Sequence, residues 1–114
     1  MAKKLITLKK NSDFVRIKTK GTRRSSKSLI LQKLFDQNLN NSVIVGYTAT
    51  KKLGNAVKRN YAKRILRELA KNNILQYGGI GYYYVLIAKN NIFETSFQKL
   101  NEELKKLLLN NEKE

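Results

Sequence analysis

At Gly54 the spacing of the apolar residues changes period, and no other feature of the chain restricts its fold as much. Before it, "VIVGYTAT", Val43 to Thr50, is β-branched and aromatic and reads as a strand. After it, apolar residues recur about every 3.6 positions, which predicts a long helix from Ala56 to Asn72. A strand followed at once by an amphipathic helix calls for a sheet with a helix packed on it. At about 100° per residue from Val57, Tyr61, Ala62, Ile65, Leu66 and Leu69 share one side of that helix. Arg59, Asn60, Lys63, Arg64, Arg67 and Lys71 share the other. Glu68 falls at the seam, and Lys58 lies on the apolar side in the first turn, where its stem can snorkel outward.

Charged helix faces are commonly no more than solvated, but such faces interleave signs so that residues four apart attract. Here Arg59, Lys63 and Arg67 stand four apart with like charge, each pair costing a few tenths of a kcal/mol at low salt. An anionic partner would offset that cost. Lys51 and Lys52 extend the strip toward the helix N-terminus, where free backbone N–H groups also favour phosphate.

Composition agrees. In 114 residues, 24 Lys and Arg against 8 Asp and Glu give a net charge of +16, while a 41% hydrophobic fraction is enough for one core and one domain. A folded cation of this kind suits a polyanion, with nucleic acid ahead of an anionic membrane surface. There is no cysteine and no histidine, so a disulfide framework, thiolate metal sites and the commonest general base are excluded. The longest apolar run, Tyr82 to Ala88, is too short to span a bilayer. "MAKKLITLKK" has no signal-peptide core before Lys9 and Lys10 interrupt it. A cytoplasmic protein without membrane attachment or a small-molecule substrate is expected.

Elsewhere, Ser12 and Asp13 open a short helix running to about Lys20 and ending at Gly21. "TRRSSKS" is a loop or strand entry, "LILQKLF", Leu29 to Phe35, a strand, and "DQNLNNS" a turn. Gly46 marks a bulge or a close approach of another backbone. "QYGGIG" breaks the chain before a strand at Tyr82 to Ala88. Thr95 is the expected N-cap of a last helix carrying Phe97, Leu100, Leu104, Leu107 and Leu108 at helical spacing, with Glu102, Glu103, Glu112 and Glu114 on a polar side that disfavours anionic lipid. The order is helix, strands, helix, strand, helix, an α+β fold with helices on a small sheet. Residues 1–10 read as a basic arm and 110–114 as a frayed tail. Tyr82 and Tyr84 share one face of a strand, either as a stacking platform or as sheet packing. Asp36, Glu94 and the other acids show no metal spacing.

"KKLGNAVKRNYAKRILRE", Lys51 to Glu68, resembles the signature segment of the protein subunit of bacterial ribonuclease P, Lys-Lys-x-Gly-x-Ala-Val-x-Arg-Asn-x-x-Lys-Arg-x-x-Arg. "LKKNSDFVRIKTKG", Leu8 to Gly21, is similar to the first helix of that family and "YYVLIAK", Tyr83 to Lys89, to its last strand, so the resemblance covers most of the chain in order. It implies a single RNA-binding domain over 1–114, a two-layer α/β sandwich in the order α-β-β-β-α-β-α, the ribosomal S5 domain 2-like fold, with a left-handed crossover that departs from the usual rule. It also implies an endoribonuclease whose RNA subunit, with bound Mg²⁺, removes the 5′ leader of precursor tRNA. No catalytic residue is then expected in the protein, the Mg²⁺ is bound mainly by the RNA subunit, and no metal-binding side chain is assigned. Lys51, Lys52, Arg59, Asn60, Lys63, Arg64 and Arg67 become contacts of the RNA subunit. Phe14 and Arg16, with Leu29 and Leu31 on the strand facing them, become contacts of the single-stranded leader.

The chain departs from the family where the leader would lie. Leu29 and Gln32 occupy places that often carry aromatics, and Lys18 stands where some members have a second phenylalanine. A leader cleft here would rest more on Phe14, aliphatic contact and charge than on stacking. The residues alone leave other classes open: a structural RNA-binding protein such as a small ribosomal protein, a helix-turn-helix DNA binder, for which "SVIVGYTATKKLG" supplies strand and loop instead of a preceding helix, and a protein nuclease, for which no acid–base set is visible.

Overall fold

The computed structural model describes residues 4–39 and 42–109. The expected tail, 110–114, lies outside them, as do residues 1–3 of the arm and 40–41 of the turn. Strand β1 spans Lys4–Thr7, helix α1 Asn11–Lys20, β2 Thr22–Ser25, β3 Leu29–Phe35 and β4 Ser42–Thr48. A 3-10 turn at Lys51–Leu53 leads into α2, Ala56–Tyr77, then β5, Tyr82–Ala88, a second 3-10 turn at Asn90–Glu94, and α3, Phe97–Leu109. The α-β-β-β-α-β-α order is present, preceded by a strand that the sequence reading had placed in the basic arm.

The five strands form one mixed sheet in the order β1-β4-β5-β3-β2. β4 pairs parallel with both β1 and β5, so α2 is the crossover between two adjacent parallel strands, and β3 runs antiparallel to β5 and β2. Alternation along the strands sorts the core into two. Leu29 and Leu31 of β3, Val43 and Val45 of β4, and Tyr84, Leu86 and Ala88 of β5 pack under α2 and α3. Tyr83 and Val85, with the half-buried Leu34, Ile44 and Ile87, pack with Ile17 and Phe14 of α1 and with Leu8.

Two glycines are fixed by this packing. Gly46 marks neither a bulge nor a backbone approach. The β4–β5 register runs through it unbroken, and a Cβ there would sit 2.5 Å from the Phe14 ring. Gly54 has φ 137°, a conformation side chains resist, and it turns the chain from the 3-10 turn into α2. Asn55 then caps α2, its side-chain oxygen accepting from the Lys58 N–H at 3.0 Å.

The other helix starts differ from expectation. Ser12 lies inside α1, whose cap position is Lys10, with no side-chain cap. Ser96, not Thr95, caps α3 by accepting from the Lys99 N–H at 3.2 Å. Thr95 is committed elsewhere, its hydroxyl donating to Asn91 O at 2.8 Å. α2 runs on to Tyr77 because Asn73 is not the helix breaker it resembles in sequence. It is buried, and its amide donates to Leu69 O at 3.0 Å and to Asn101 Oδ1 at 2.6 Å across the α2–α3 contact. Tyr84 is core, its hydroxyl accepting from the Gly79 N–H at 2.8 Å, and burial raises its pKa against that bond.

Candidate nucleic-acid interface

Helix α2 carries the site because its two sides meet different surroundings. Ala62, Leu66, Leu69, Ala70 and Ile74 are fully buried against the sheet and α3, and Ile65 packs at the margin. On the other side Asn60, Arg64, Arg67 and Lys71 are exposed and Arg59 and Lys63 half-buried, while Lys51 and Lys52 are exposed on the 3-10 turn just before the helix. The seven predicted contact residues, Lys51, Lys52, Arg59, Asn60, Lys63, Arg64 and Arg67, are thus brought together along one continuous stretch. Arg16 forms ion pairs with Asp13 and Asp36, whereas no residue of the strip is ion-paired to a carboxylate among the described residues.

Two aromatic residues that sequence reasoning did not single out shape this surface. The Arg67 guanidinium lies 5.5 Å from the Tyr47 ring centre, which orients the fork and keeps its donors outward. Burial pushes the Tyr47 phenol pKa up, with Arg67 pulling it the other way. At the start of α2, Tyr61 stacks on Phe93 with centroids 6.1 Å apart at 12°, and Lys58 Nζ lies 5.7 Å from the same Phe93 ring. Tyr61, placed on the packed side by periodicity, is 51% exposed, and Val57 in the first turn is 76% exposed. The opening turns of the helix lie at the surface, with Tyr61 and Lys58 against Phe93 of the second 3-10 turn.

The α1 face presents a different surface. Phe14 lies over Gly46, and Arg16 is held on three sides, 3.7 Å from Asp13, 3.7 Å from Asp36, and 4.9 Å above the Tyr83 ring. Leu29 and Leu31, expected beside them, are not there. They are 0% and 1% exposed and point to the opposite face of the sheet, under α2 and α3, because strand residues of that parity belong to the other core. The β3 residues that share the α1 face are Ile30, Gln32 and Leu34. Register places Ile30 beside Ile87 of β5, itself beside Thr48 of β4, a half-buried row across the sheet next to the buried Gln32. Arg23 of β2, exposed and opposite Gln32, stands on the same face. Among the described residues no three His, Cys, Asp or Glu side chains converge on a point, so these side chains do not fit an all-protein Mg²⁺ site.

A family model described as Ribonuclease P matches residues 2–112. The ribonuclease P protein component of Caldanaerobacter subterraneus is 34% identical over 111 residues, covering 95% of this chain and 90% of that protein. That of Ruegeria pomeroyi is 36% identical over 103 residues, covering 89% and 82%. Among solved structures, the RNase P protein of Staphylococcus aureus superposes with a TM-score of 0.76 at 27% identity, over 90% of this chain and 91% of that one. The RNase P protein of Thermotoga maritima shares the fold, with a TM-score of 0.79 at 22% identity over 94% and 98% of the two chains.

Proposed function

The chain belongs to the ribonuclease P protein family, the protein component of an endoribonuclease that processes tRNA, and on that premise we propose that its α2 strip binds the catalytic RNA subunit while the α1 face of the sheet holds the 5′ leader of precursor tRNA. The observation that carries this reading is the like-charged strip from Lys51 to Arg67, which has no carboxylate partner among the described residues. Planar Arg59, Arg64 and Arg67, with the Asn60 amide, offer directional donors suited to fixed phosphates and base edges of a folded RNA. The leader, being single-stranded, lies along the row Ile30, Ile87 and Thr48, with Phe14 as its aromatic contact, Arg23 at the sheet edge and Arg16 held in place by its two carboxylates.

The protein's contribution is to bind and orient. Having no histidine or cysteine, it leaves cleavage to the RNA subunit, and the Mg²⁺ that serves cleavage is assigned to RNA phosphates. No helix among the described residues is long and apolar enough to cross a membrane, and the reading places the chain in the cytoplasm, with RNA as its only partner class.

The deciding experiment is single-turnover cleavage of a precursor tRNA by the cognate RNA subunit at low Mg²⁺, with and without the protein, on long-leader and trimmed-leader substrates. The expected result is restored 5′ cleavage, with tighter binding confined to the long-leader substrate. RNA binding that leaves cleavage unchanged under all conditions would replace this reading with that of a structural RNA-binding protein.

A further inference from the structure

At the far end of β3 from Ile30, an aromatic ring stands outside the core between lysines. Phe35 is 58% exposed. Part of its ring lies against Gly81, where an added Cβ would come within 3.0 Å of it. Tyr82, its partner across the β3–β5 ladder, meets it edge-on, with centroids 5.4 Å apart at 67°. Lys33 Nζ lies 5.4 Å from the centre of the Tyr82 ring. β3 continues two residues past its last pairing with β2, Thr22 with Lys33, and this overhang leaves a cleft of about 200 Å³ bordered by Lys20, Gly21, Thr22, Lys33, Phe35 and Tyr82. The acid next in sequence, Asp36, is engaged with Arg16 at 3.7 Å and with the Asn38 N–H at 2.9 Å.

A ring steadied from one side, open on the other, flanked by Lys20 and Lys33 and bordered by no carboxylate among the described residues is built for stacking against something flat and anionic. In a duplex the base faces are hidden by their neighbours, so a base that stacks here must be unpaired. We propose that this cleft binds one unpaired RNA nucleotide, its base on Phe35 and its flanking phosphates beside Lys20 and Lys33. Phe35 is five residues, roughly 17 Å of strand, from Ile30, so the cleft takes a different nucleotide from the row assigned above to the leader. The inference rests on the reading that the chain works on RNA and adds to it a second single-strand subsite.

The test is titration of the full chain with an unstructured single-stranded RNA octamer, comparing the parent with Phe35→Ala and Phe35→Trp. Phe35→Ala is expected to melt like the parent and to bind the octamer about five- to 150-fold more weakly, the range one base–aromatic stack spans. Phe35→Trp is expected to restore binding, its indole fluorescence quenched by the octamer. Equal affinity of parent and Phe35→Ala overturns the proposal, and so does a loss that Phe35→Trp leaves uncorrected. Arg64→Ala against the RNA subunit, measured in parallel, separates the two readings. If it weakens that complex while Phe35→Ala leaves the octamer unaffected, the subsite falls and the proposed function stands. Where the octamer shows the loss, a further Phe35→Ala deficit confined to long-leader precursor assigns the nucleotide to the leader, and one against the RNA subunit alone assigns it to an unpaired base of that subunit. Either deficit supports the site.

Discussion

The hydrogen that stands in place of a side chain on Gly46 lets Phe14 seat on the sheet. With a Cβ 2.5 Å from that ring, Gly46→Ala is expected to cost about 1 to 3 kcal/mol by overpacking. Phe14→Leu in the same chain should return part of the loss, which a double-mutant cycle in denaturant unfolding reads directly. Glu103 has a comparable role on the other side of the molecule. Its carboxylate accepts from Ser26 Oγ at 2.6 Å, Ser28 N at 2.9 Å and Ser28 Oγ at 2.9 Å, tying α3 to the β2–β3 turn. Burial pushes its pKa up, but these bonds and Lys27 outweigh it and hold the value below the ordinary 4.5. A carboxyl depressed in the folded state stabilises at neutral pH and loses that contribution as pH falls below about 4.5 through the folded pKa. Urea midpoints of the parent and Glu103→Gln should therefore differ most near pH 7 and converge toward pH 3. Single residues were also where sequence reading failed. "LILQKLF" is apolar at Leu29, Ile30, Leu31, Leu34 and Phe35, so alternation could not say which face each served. Only the packing of α1 against Ile30's side of the sheet put Leu29 and Leu31 out of reach of a leader.

Helix α2 was the most legible element because its period, charge and motif agree, and the buried series Ala62, Leu66, Leu69 follows that period. Its two ends were not legible. The start lies at the surface, a tertiary fact that leaves Val57 76% exposed. The end continues past Asn72 because α3 supplies Asn101 to Asn73. Strand β1 was missed for a similar reason: four residues, "KLIT", give too short a run for a period-two signal, and they become a strand by lying beside β4. The uneven support of α2 predicts uneven sensitivity. Leu66→Ala should destabilise by about 2 to 5 kcal/mol, whereas Val57→Ala should change the melting temperature little, as expected of a surface substitution. Equal losses from the two would mean that the opening turns are packed as firmly as the middle.

Over the whole molecule, a formal charge of +16 is carried by a chain whose described ion pairs both belong to Arg16. Six cations line the predicted RNA surface, Lys51, Lys52, Arg59, Lys63, Arg64 and Arg67. If each meets a phosphate, affinity for the RNA subunit should fall roughly a thousandfold between about 50 and 200 mM salt. The free protein should respond in the opposite sense, melting slightly higher as salt screens its self-repulsion. A salt-independent affinity would mean that the strip is merely solvated. That excess of positive charge also makes stability a property of the mixture more than of the chain. A ligand that binds only the folded form stabilises it by mass action, so the melting temperature should climb with the logarithm of RNA concentration. Newly made protein in excess of its RNA would then be the less durable fraction, and the supply of RNA would set how much of the protein persists.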